Sequence, residues 1–242
     1  MKESTVAGLK VRWTGGDDGH GGGNGPLAIL LHGYGAPGDD LVPLWREIPA
    51  PRATRYAFPE APRALGPQFD EGRAWWDIDI MAYQFAVLAG RTRELTESVP
   101  EGLVEVRAMV TELLAELVPT TKSAPVVFGG FSQGAMVSLD VALHTDIAVS
   151  GLALLSGTII ARQEWMPRLA SRRGLRVVQS HGAQDPILPY EVAEELRDAL
   201  SAAGLDVAWF PFRGGHNIPP SALEALGSLL SGQPAHSAER KA

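Results

Sequence analysis

The stretch Val126-Val127-Phe128-Gly129-Gly130-Phe131-Ser132-Gln133-Gly134-Ala135-Met136 decides the fold. A β-branched and aromatic run leads into Gly-Phe-Ser-Gln-Gly, and an apolar-periodic segment then continues to about His144. Gly130-x-Ser132-x-Gly134 fits the sharp strand-to-helix turn that holds a nucleophilic serine above a sheet, and its glycines give that turn room. The alternative is a glycine-rich connection with an incidental serine, so other parts of the chain must supply a base, an acid and an oxyanion hole.

Composition limits the class of protein. The 242 residues suit one α/β domain, and 21 Lys and Arg against 28 Asp and Glu give a net charge of −7. An acidic balance without a basic cluster argues against nucleic acid and anionic membrane surfaces as partners. The chain has no cysteine, which excludes disulfides, thiolate metal sites and cysteine nucleophiles.

The ends of the chain and its apolar runs carry no membrane signal. Residues 1–5 lack the charged and apolar regions of a secretory signal, and no apolar run approaches the roughly 20 residues of a membrane span. We therefore expect a cytoplasmic protein without stable membrane insertion. Residues 15–25 are glycine-rich and predict a flexible loop, and residues 232–242 predict a disordered tail after a single domain, residues 1–231.

Strands and helices alternate along the rest of the sequence. Apolar runs predict strands at residues 6–13, 27–31, 54–58, 126–131, 151–157, 175–182 and 206–212. Helical periodicity is strongest over residues 101–118. Further helices are expected at 80–98, in one or two pieces broken near Gly90, and at 190–203 and 221–230. This order predicts an α/β fold with a mostly parallel central sheet and helices on both faces.

Reactive residues follow four of the predicted strands, at the sheet edge where α/β proteins place their sites. They are His32-Gly33-Tyr34, Ser132, Asp185 and His216. The chain order Ser, Asp, His is the order of the hydrolases that use this turn. Ser132 would attack an acyl carbonyl, His216 would take its proton, and Asp185 would orient the imidazole.

The backbone N–H groups of Tyr34 and Gln133 are the predicted oxyanion donors.

The proposed base and acid each have an alternative interpretation. His216 could be a helix-start residue, and Asp185 could be a turn residue. Asp206 is a rival acid, but it lies at the start of a strand and therefore at the wrong edge of the sheet.

Two further pairs of residues have open roles. His32 and His181 each precede a glycine at a strand end, and we expect them to pack and hydrogen-bond under the site rather than bind a metal. Trp75 and Trp76 stand in a polar loop, where they form either a pocket wall or part of the core.

Five motifs together resemble the phospholipase/carboxylesterase family, which includes acyl-protein thioesterases and small bacterial carboxylesterases. The motifs are Leu31-His32-Gly33-Tyr34-Gly35, Trp75-Trp76-Asp77-Ile78, Gly130-Phe131-Ser132-Gln133-Gly134-Ala135, His181-Gly182-x-x-Asp185-Pro186-Ile187-Leu188-Pro189 and Gly215-His216-Asn217-Ile218. The resemblance runs from about Pro26 to Leu230. Residues 15–25 and 158–174 depart from the family pattern.

The resemblance implies an α/β-hydrolase fold, a metal-free and cofactor-free triad of Ser132, Asp185 and His216, and homodimers, which the family often forms. It also implies that Trp75 and Trp76 lie near the acyl group; Met81 and Phe85, just after them, are further candidates for binding substrate.

The leading hypothesis for function is a serine carboxylesterase acting on short- to medium-chain acyl esters. The alternatives are a thioesterase or lysophospholipase with the same triad, and a catalytically silent binding protein.

Overall fold

The computed structural model describes residues 1–235, apart from the side chains of Gln68, Ile80, Thr92 and Arg93. Most of the predicted tail, residues 236–242, therefore lies outside the described residues. The strands of the described part are β1 Lys2–Val6, β2 Leu9–Gly15, β3 Leu27–Leu31, β4 Arg55–Pro59, β5 Arg63–Ala64, β6 Arg73–Ala74, β7 Val126–Phe131, β8 Gly151–Leu155, β9 Arg176–Gly182 and β10 Asp206–Phe212. Its α-helices are α1 Ile80–Leu88, α2 Thr92–Glu97, α3 Leu103–Leu117, α4 Gln133–His144, α5 Arg162–Trp165, α6 Tyr190–Ala202 and α7 Pro220–Leu230.

Eight strands form one sheet in the order β1-β2-β4-β3-β7-β8-β9-β10. The pairs β1–β2 and β2–β4 are antiparallel, and every pair from β4 to β10 is parallel. The short strands β5 and β6 pair with each other outside this sheet. The mostly parallel α/β sheet predicted from the sequence is confirmed.

Alternate residues of each central strand enter opposite cores. In β3, Leu27, Ile29 and Leu31 join one buried cluster, with side chains of α3, α4, α5 and α6. Ala28 and Leu30 point to the other face and join a second cluster with side chains of α7. Because successive strand side chains point to opposite faces, a strand covered by helices on both sides is apolar throughout.

Helix α3 follows the periodicity that predicted it. All six residues of its apolar stripe are buried: Leu103, Val106, Val110, Leu113, Leu114 and Leu117. The predicted break near Gly90 also occurs, since α1 ends at Leu88 and α2 begins at Thr92.

The prediction of one strand over residues 6–13 is wrong. Two antiparallel strands, β1 and β2, meet at a turn in which Ala7 and Gly8 have φ values of 47° and 77°. Two consecutive residues with positive φ reverse the chain, as in the tight turns of β-hairpins.

The glycine-rich loop is closed by its own hydrogen bonds. The Asp18 carboxylate accepts from the N–H groups of His20 and Gly22 at 2.7 and 2.9 Å. The N–H of Gly16 donates to Thr54 O at 2.8 Å, which ties the loop to the chain before β4. Its flexibility stays a prediction.

No helix among residues 1–235 is both long and apolar enough to cross a membrane.

Candidate active site

The four strand ends that carry the predicted site residues lie at one edge of the sheet. Strands β3, β7, β9 and β10 run parallel, so their carboxyl ends share that edge. They lead directly into His32, Ser132, Ala183 and Arg213, and the loops that follow carry Asp185 and His216.

Ser132 occupies a strained turn between β7 and α4. Its φ and ψ are 54° and −118°, a region that non-glycine residues rarely adopt and that often marks functional sites. Its N–H donates to Leu155 O at 2.8 Å, which anchors the turn to the next strand. A Cβ at Gly130 or Gly134 would lie 2.3 or 2.1 Å from Leu31 O, so both glycines are required where the turn crosses the end of β3.

Asp185 and His216 form a hydrogen-bonded pair. The His216 Nδ1 lies 2.6 Å from the Asp185 Oδ2, and the other carboxylate oxygen, Oδ1, accepts from the N–H groups of Ile187 and Leu188 at 2.8 and 3.0 Å. Since an ionised carboxylate only accepts, this bond places the proton on Nδ1 and leaves Nε2 free to accept one.

The Asp185 carboxylate is ionised despite its burial, its side chain being 0% exposed. Burial raises its pKa, but the hydrogen bonds from His216, Leu188 and Ile187 outweigh burial and lower the pKa overall. His181 also approaches this carboxylate, with its Nε2 3.3 Å from Oδ2 and 3.0 Å from Leu188 O. Burial lowers the pKa of His181, so the ring is neutral.

The loops that carry Asp185 and His216 are joined by backbone hydrogen bonds. Ala183 N donates to Phe212 O at 2.8 Å, and Gln184 N donates to Gly214 O at 2.9 Å. A Cβ at Gly182 would lie 2.1 Å from Gly215 O, so a glycine allows the two loops to approach.

Two residues that the sequence did not single out hold the His216 loop. The Phe131 ring packs against the imidazole with 4.7 Å between ring centroids. The buried Ser156 hydroxyl donates to Asn217 O at 2.8 Å. Ser156 follows β8 with a φ of 48°, yet Ser-Gly after a strand is too common a pattern to reveal this role.

The His216 imidazole packs on the residue that precedes Ser132 but, in the described structure, forms no hydrogen bond with Ser132 itself. Phe131, which packs on the imidazole, directly precedes Ser132, but within residues 1–235 no hydrogen bond joins the Ser132 hydroxyl to His216. In enzymes without substrate, such bonds are often long and shorten only when substrate binds.

The predicted oxyanion donors come from two loops beside the serine. The N–H of Gln133 is the first of helix α4, where it has no acceptor within the helix. A Cβ on Gly33 would lie 3.2 Å from the Ser132 Cβ, so the loop carrying Tyr34 passes next to the serine. In the described part of the chain, neither the Tyr34 nor the Gln133 N–H donates to a backbone oxygen.

Trp75 and Trp76 are core residues rather than an exposed pocket wall. They are 0% and 3% exposed, and a role for them in binding substrate stays a prediction. The Trp75 indole N–H donates to His32 O at 2.9 Å, and its backbone N–H donates to Gln133 Oε1 at 2.9 Å.

Met81 and Phe85 lie on α1, and both are largely exposed, at 82% and 67%. Burial, with a smaller contribution from the Asp185 charge, raises the pKa of Tyr83 on the same helix to about 12. A cavity of about 240 Å³ lies beside Asp185, between Val87 of α1 and the start of α6. Neither Met81 nor Phe85 lines this cavity, and their contact with substrate stays a prediction.

The ring nitrogens of His32 are both engaged. Nδ1 lies 2.8 Å from Gly33 O, and Nε2 accepts from Ala61 N at 3.0 Å. Burial lowers the pKa of His32, in keeping with a neutral ring that donates from one nitrogen and accepts at the other.

A group with metal-ligand chemistry lies away from this edge. Ligand atoms of Asp140, His144 and Glu164 fall within 4.8 Å of one another. However, the Arg107 guanidinium already donates to both carboxylates, at 2.7 Å to Asp140 and 3.2 Å to Glu164. We interpret the group as a structural ion network.

The fold and the strained serine turn define the class of the protein as an α/β-hydrolase. Residues 23–232 match the family described as Phospholipase/Carboxylesterase, and the chain belongs to that family of serine hydrolases.

Relatives named as thioesterases and as esterases both resemble this chain. An acyl-protein thioesterase 1 of Gibberella zeae is 26% identical, over 85% of this chain and 89% of its own length. A probable carboxylesterase of Oryza sativa subsp. japonica is also 26% identical, over 86% of this chain and 77% of its own length.

Solved structures resemble it over nearly its whole length. Esterase PE8 superposes with a TM-score of 0.72 at 26% identity, covering 93% of this chain and 98% of its own. A Bacillus cereus carboxylesterase has a TM-score of 0.68 at 21% identity, over 93% and 94% of the two chains, and supports the fold alone.

Proposed function

We propose that this protein hydrolyses carboxylic esters with short- to medium-chain acyl groups through an acyl-enzyme on Ser132. The observation that carries the proposal is the pairing of a serine in a strained strand-to-helix turn with an imidazole held 2.6 Å from a buried carboxylate at the same sheet edge. The membership of the chain in the phospholipase/carboxylesterase family supports the same chemistry.

In the proposed reaction, the Ser132 Oγ attacks the carbonyl carbon while His216 Nε2 takes its proton. The carbonyl oxygen becomes an oxyanion, which accepts from the N–H groups of Tyr34 and Gln133, and Asp185 stabilises the imidazolium. Collapse of the intermediate breaks the ester bond, and the leaving alcohol takes the proton from His216. A water molecule, activated by His216, then releases the acid and restores the Ser132 hydroxyl.

The first test is the turnover of p-nitrophenyl acyl esters by the purified Ser132→Ala variant. We expect the activity to fall to background, since no other group in the proposed reaction forms the acyl-enzyme. Undiminished turnover would refute the proposal. A fluorophosphonate probe tests the silent-binder alternative, because a protein without an activated serine would stay unlabelled at Ser132.

A thioesterase with the same residues is the second candidate, and it is favoured by the relatives named acyl-protein thioesterases. A series of acyl esters of increasing chain length, measured beside the matching thioesters, distinguishes the two. A kcat/KM consistently higher for the thioesters would favour this candidate over the carboxylesterase.

We infer further that residues 1–231 form one domain, since the two apolar cores share the eight-stranded sheet. A cytoplasmic location and a homodimer stay predictions.

A further inference from the structure

Residues 73–76 connect the two loops that supply the proposed oxyanion donors. At one end of this segment, Arg73 N donates to Ala36 O at 3.0 Å, and Gly35 N donates to Arg73 O at 2.9 Å. These paired bonds attach the segment to residues 32–36, which we call the oxyanion loop. The segment itself, residues 73–76, is called the brace below.

The other end of the brace is held by the Gln133 side chain. Gln133 Oε1 accepts from Trp75 N at 2.9 Å, and Gln133 Nε2 donates to Trp76 O at 2.8 Å. The amide therefore bonds the brace through both of its polar atoms, and Gln133 is 1% exposed. The two bonds hold Gln133, which is the first residue of α4, in place. They therefore also hold the proposed oxyanion donor, which is the backbone N–H of the same residue.

Trp75 completes the connection within the core. Its indole N–H donates to His32 O at 2.9 Å, and the residue is fully buried. Its backbone N–H is bonded to Gln133. One residue thus donates to both sides of the site, to the oxyanion loop through its side chain and to Gln133 through its backbone.

The bonds to the oxyanion loop set the direction of the Tyr34 N–H. His32 Nε2 accepts from Ala61 N, so its proton lies on Nδ1, which donates to Gly33 O at 2.8 Å. Gly33 O and the Tyr34 N–H belong to one planar trans peptide group and point in opposite directions. Trp75 holds the preceding peptide through His32 O, so two consecutive peptide planes are fixed.

We propose that Trp75 and the side-chain amide of Gln133 are positioning residues for the oxyanion hole, which hold the two N–H donors in one geometry before substrate binds. The inference rests on the proposed function, because an oxyanion forms only if Ser132 attacks a carbonyl. Donors fixed in advance need no reorganisation in the transition state, which is where oxyanion holes derive their effect.

The test compares two variants that remove single hydrogen-bonding groups. Trp75→Phe removes the indole N–H, and Gln133→Met removes both amide contacts at similar volume. Trp165→Phe is the matched control, because Trp165 is also fully buried and its indole N–H also donates a bond, to Asp140 Oδ1 at 2.8 Å, away from the oxyanion loop.

Removing an oxyanion donor outright lowers kcat by about 10²–10³-fold, so misplacing one should lower it by roughly 10- to 100-fold. We expect Trp75→Phe and Gln133→Met to lose this much kcat for p-nitrophenyl acetate, with KM within about twofold. The inhibition constant of a trifluoromethyl ketone, whose adduct with Ser132 carries an oxyanion, should rise by the same factor. Trp165→Phe should change neither quantity.

The role of the brace is overturned if the kcat of Trp75→Phe lies within twofold of that of Trp165→Phe. It is also overturned if the inhibition constant of Trp75→Phe is unchanged. If Trp75→Phe fails to fold, 3-benzothienylalanine at position 75 replaces it, since this residue keeps the ring size and lacks only the N–H. If turnover by the wild-type protein does not depend on Ser132, both the proposed function and the role of the brace are overturned. If the wild-type protein is active and the variants keep its activity, only the role of the brace is overturned.

Discussion

The substitution Asp185→Asn should invert the tautomer of His216 without removing a side chain. In the wild-type protein one carboxylate oxygen accepts from the N–H groups of Ile187 and Leu188, and the other faces His216 Nδ1. Asparagine has a single acceptor oxygen, and the two backbone donors require it. The amide NH₂ must then face Nδ1, which becomes an acceptor, and the imidazole proton moves to Nε2.

With its proton on Nε2, His216 cannot accept the proton of Ser132. Loss of the correct tautomer in a serine protease triad lowers kcat by about 10⁴-fold, and we expect a similar loss here. At about 1.36 kcal/mol per tenfold change, this corresponds to roughly 5 kcal/mol of transition-state stabilisation. Folding should change little, because the amide keeps the contacts to Ile187 and Leu188.

The assay is kcat for p-nitrophenyl acetate, with ¹⁵N NMR of the imidazole to read the tautomer. Asp206→Asn is the matched control, since this exposed aspartate at the start of β10 lies at the opposite edge of the sheet. We expect the control to keep wild-type activity. A loss of less than tenfold in Asp185→Asn, or a proton that remains on Nδ1, would refute the role assigned to Asp185.

Three further predictions concern stability, each measured by urea unfolding. Gly134→Ala should lower the free energy of unfolding by about 3 kcal/mol, because the new Cβ would lie 2.1 Å from Leu31 O and the turn cannot close without moving. The free energy of unfolding should fall as the pH drops below about 6.5, by up to 1.4 kcal/mol per pH unit for each buried neutral histidine. Burial lowers the pKa of His32, so below this pH the unfolded chain takes up a proton that the folded chain does not. Arg107→Met should cost about 3–5 kcal/mol, because it leaves the fully buried Asp140 carboxylate without its cation.

Each of these predictions has its own control. Gly134→Ala with unchanged stability would mean that the turn accommodates a methyl group. His32→Gln should reduce the slope between pH 6.5 and 5, and an unchanged slope would mean that His32 does not stay neutral. Arg197→Met removes an arginine whose acidic partners, Glu194 and Asp198, are exposed, and it should cost at most about 1 kcal/mol. An equal loss in both arginine variants would contradict the argument from the buried Asp140 carboxylate.

The strands and the order of the site residues could be predicted because burial leaves a local signal. Strands β3 and β7 are covered on both faces, so their sequences are nearly continuous apolar runs that stop where the chain leaves the sheet. His32 and Ser132 stand directly at those stops, and Asp185 and His216 lie in the loops that follow β9 and β10. The close approach of Asp185 to His216 then follows from parallel strands sharing one edge.

The hairpin at the amino end could not be predicted in the same way. Its turn uses Ala7 at positive φ, whereas Asn, Asp or Gly is the usual signal for such a turn. Gly8 alone did not distinguish a turn from an irregular strand. The energy that maintains this conformation comes from pairing over all five residues of β1, which is not visible locally.

The environment of Trp75 depended on contacts distant in sequence. Its partner Gln133 lies 58 positions along the chain, and nothing near residue 75 marks the loop as buried. The identity of Gln133 was equally uninformative, because its predicted role used only the backbone N–H. A polar side chain that pairs with a backbone segment leaves no periodic pattern, so only the folded chain reveals it.

The position of β10 in the sheet has a consequence for heat inactivation. Among the described residues β10 pairs with β9 alone, and the loop carrying His216 follows it. An edge strand opens at a lower free energy than a central one. The proposed esterase activity should therefore decline on warming before the far-ultraviolet circular dichroism changes. Cooling should restore it as long as the central strands have remained paired.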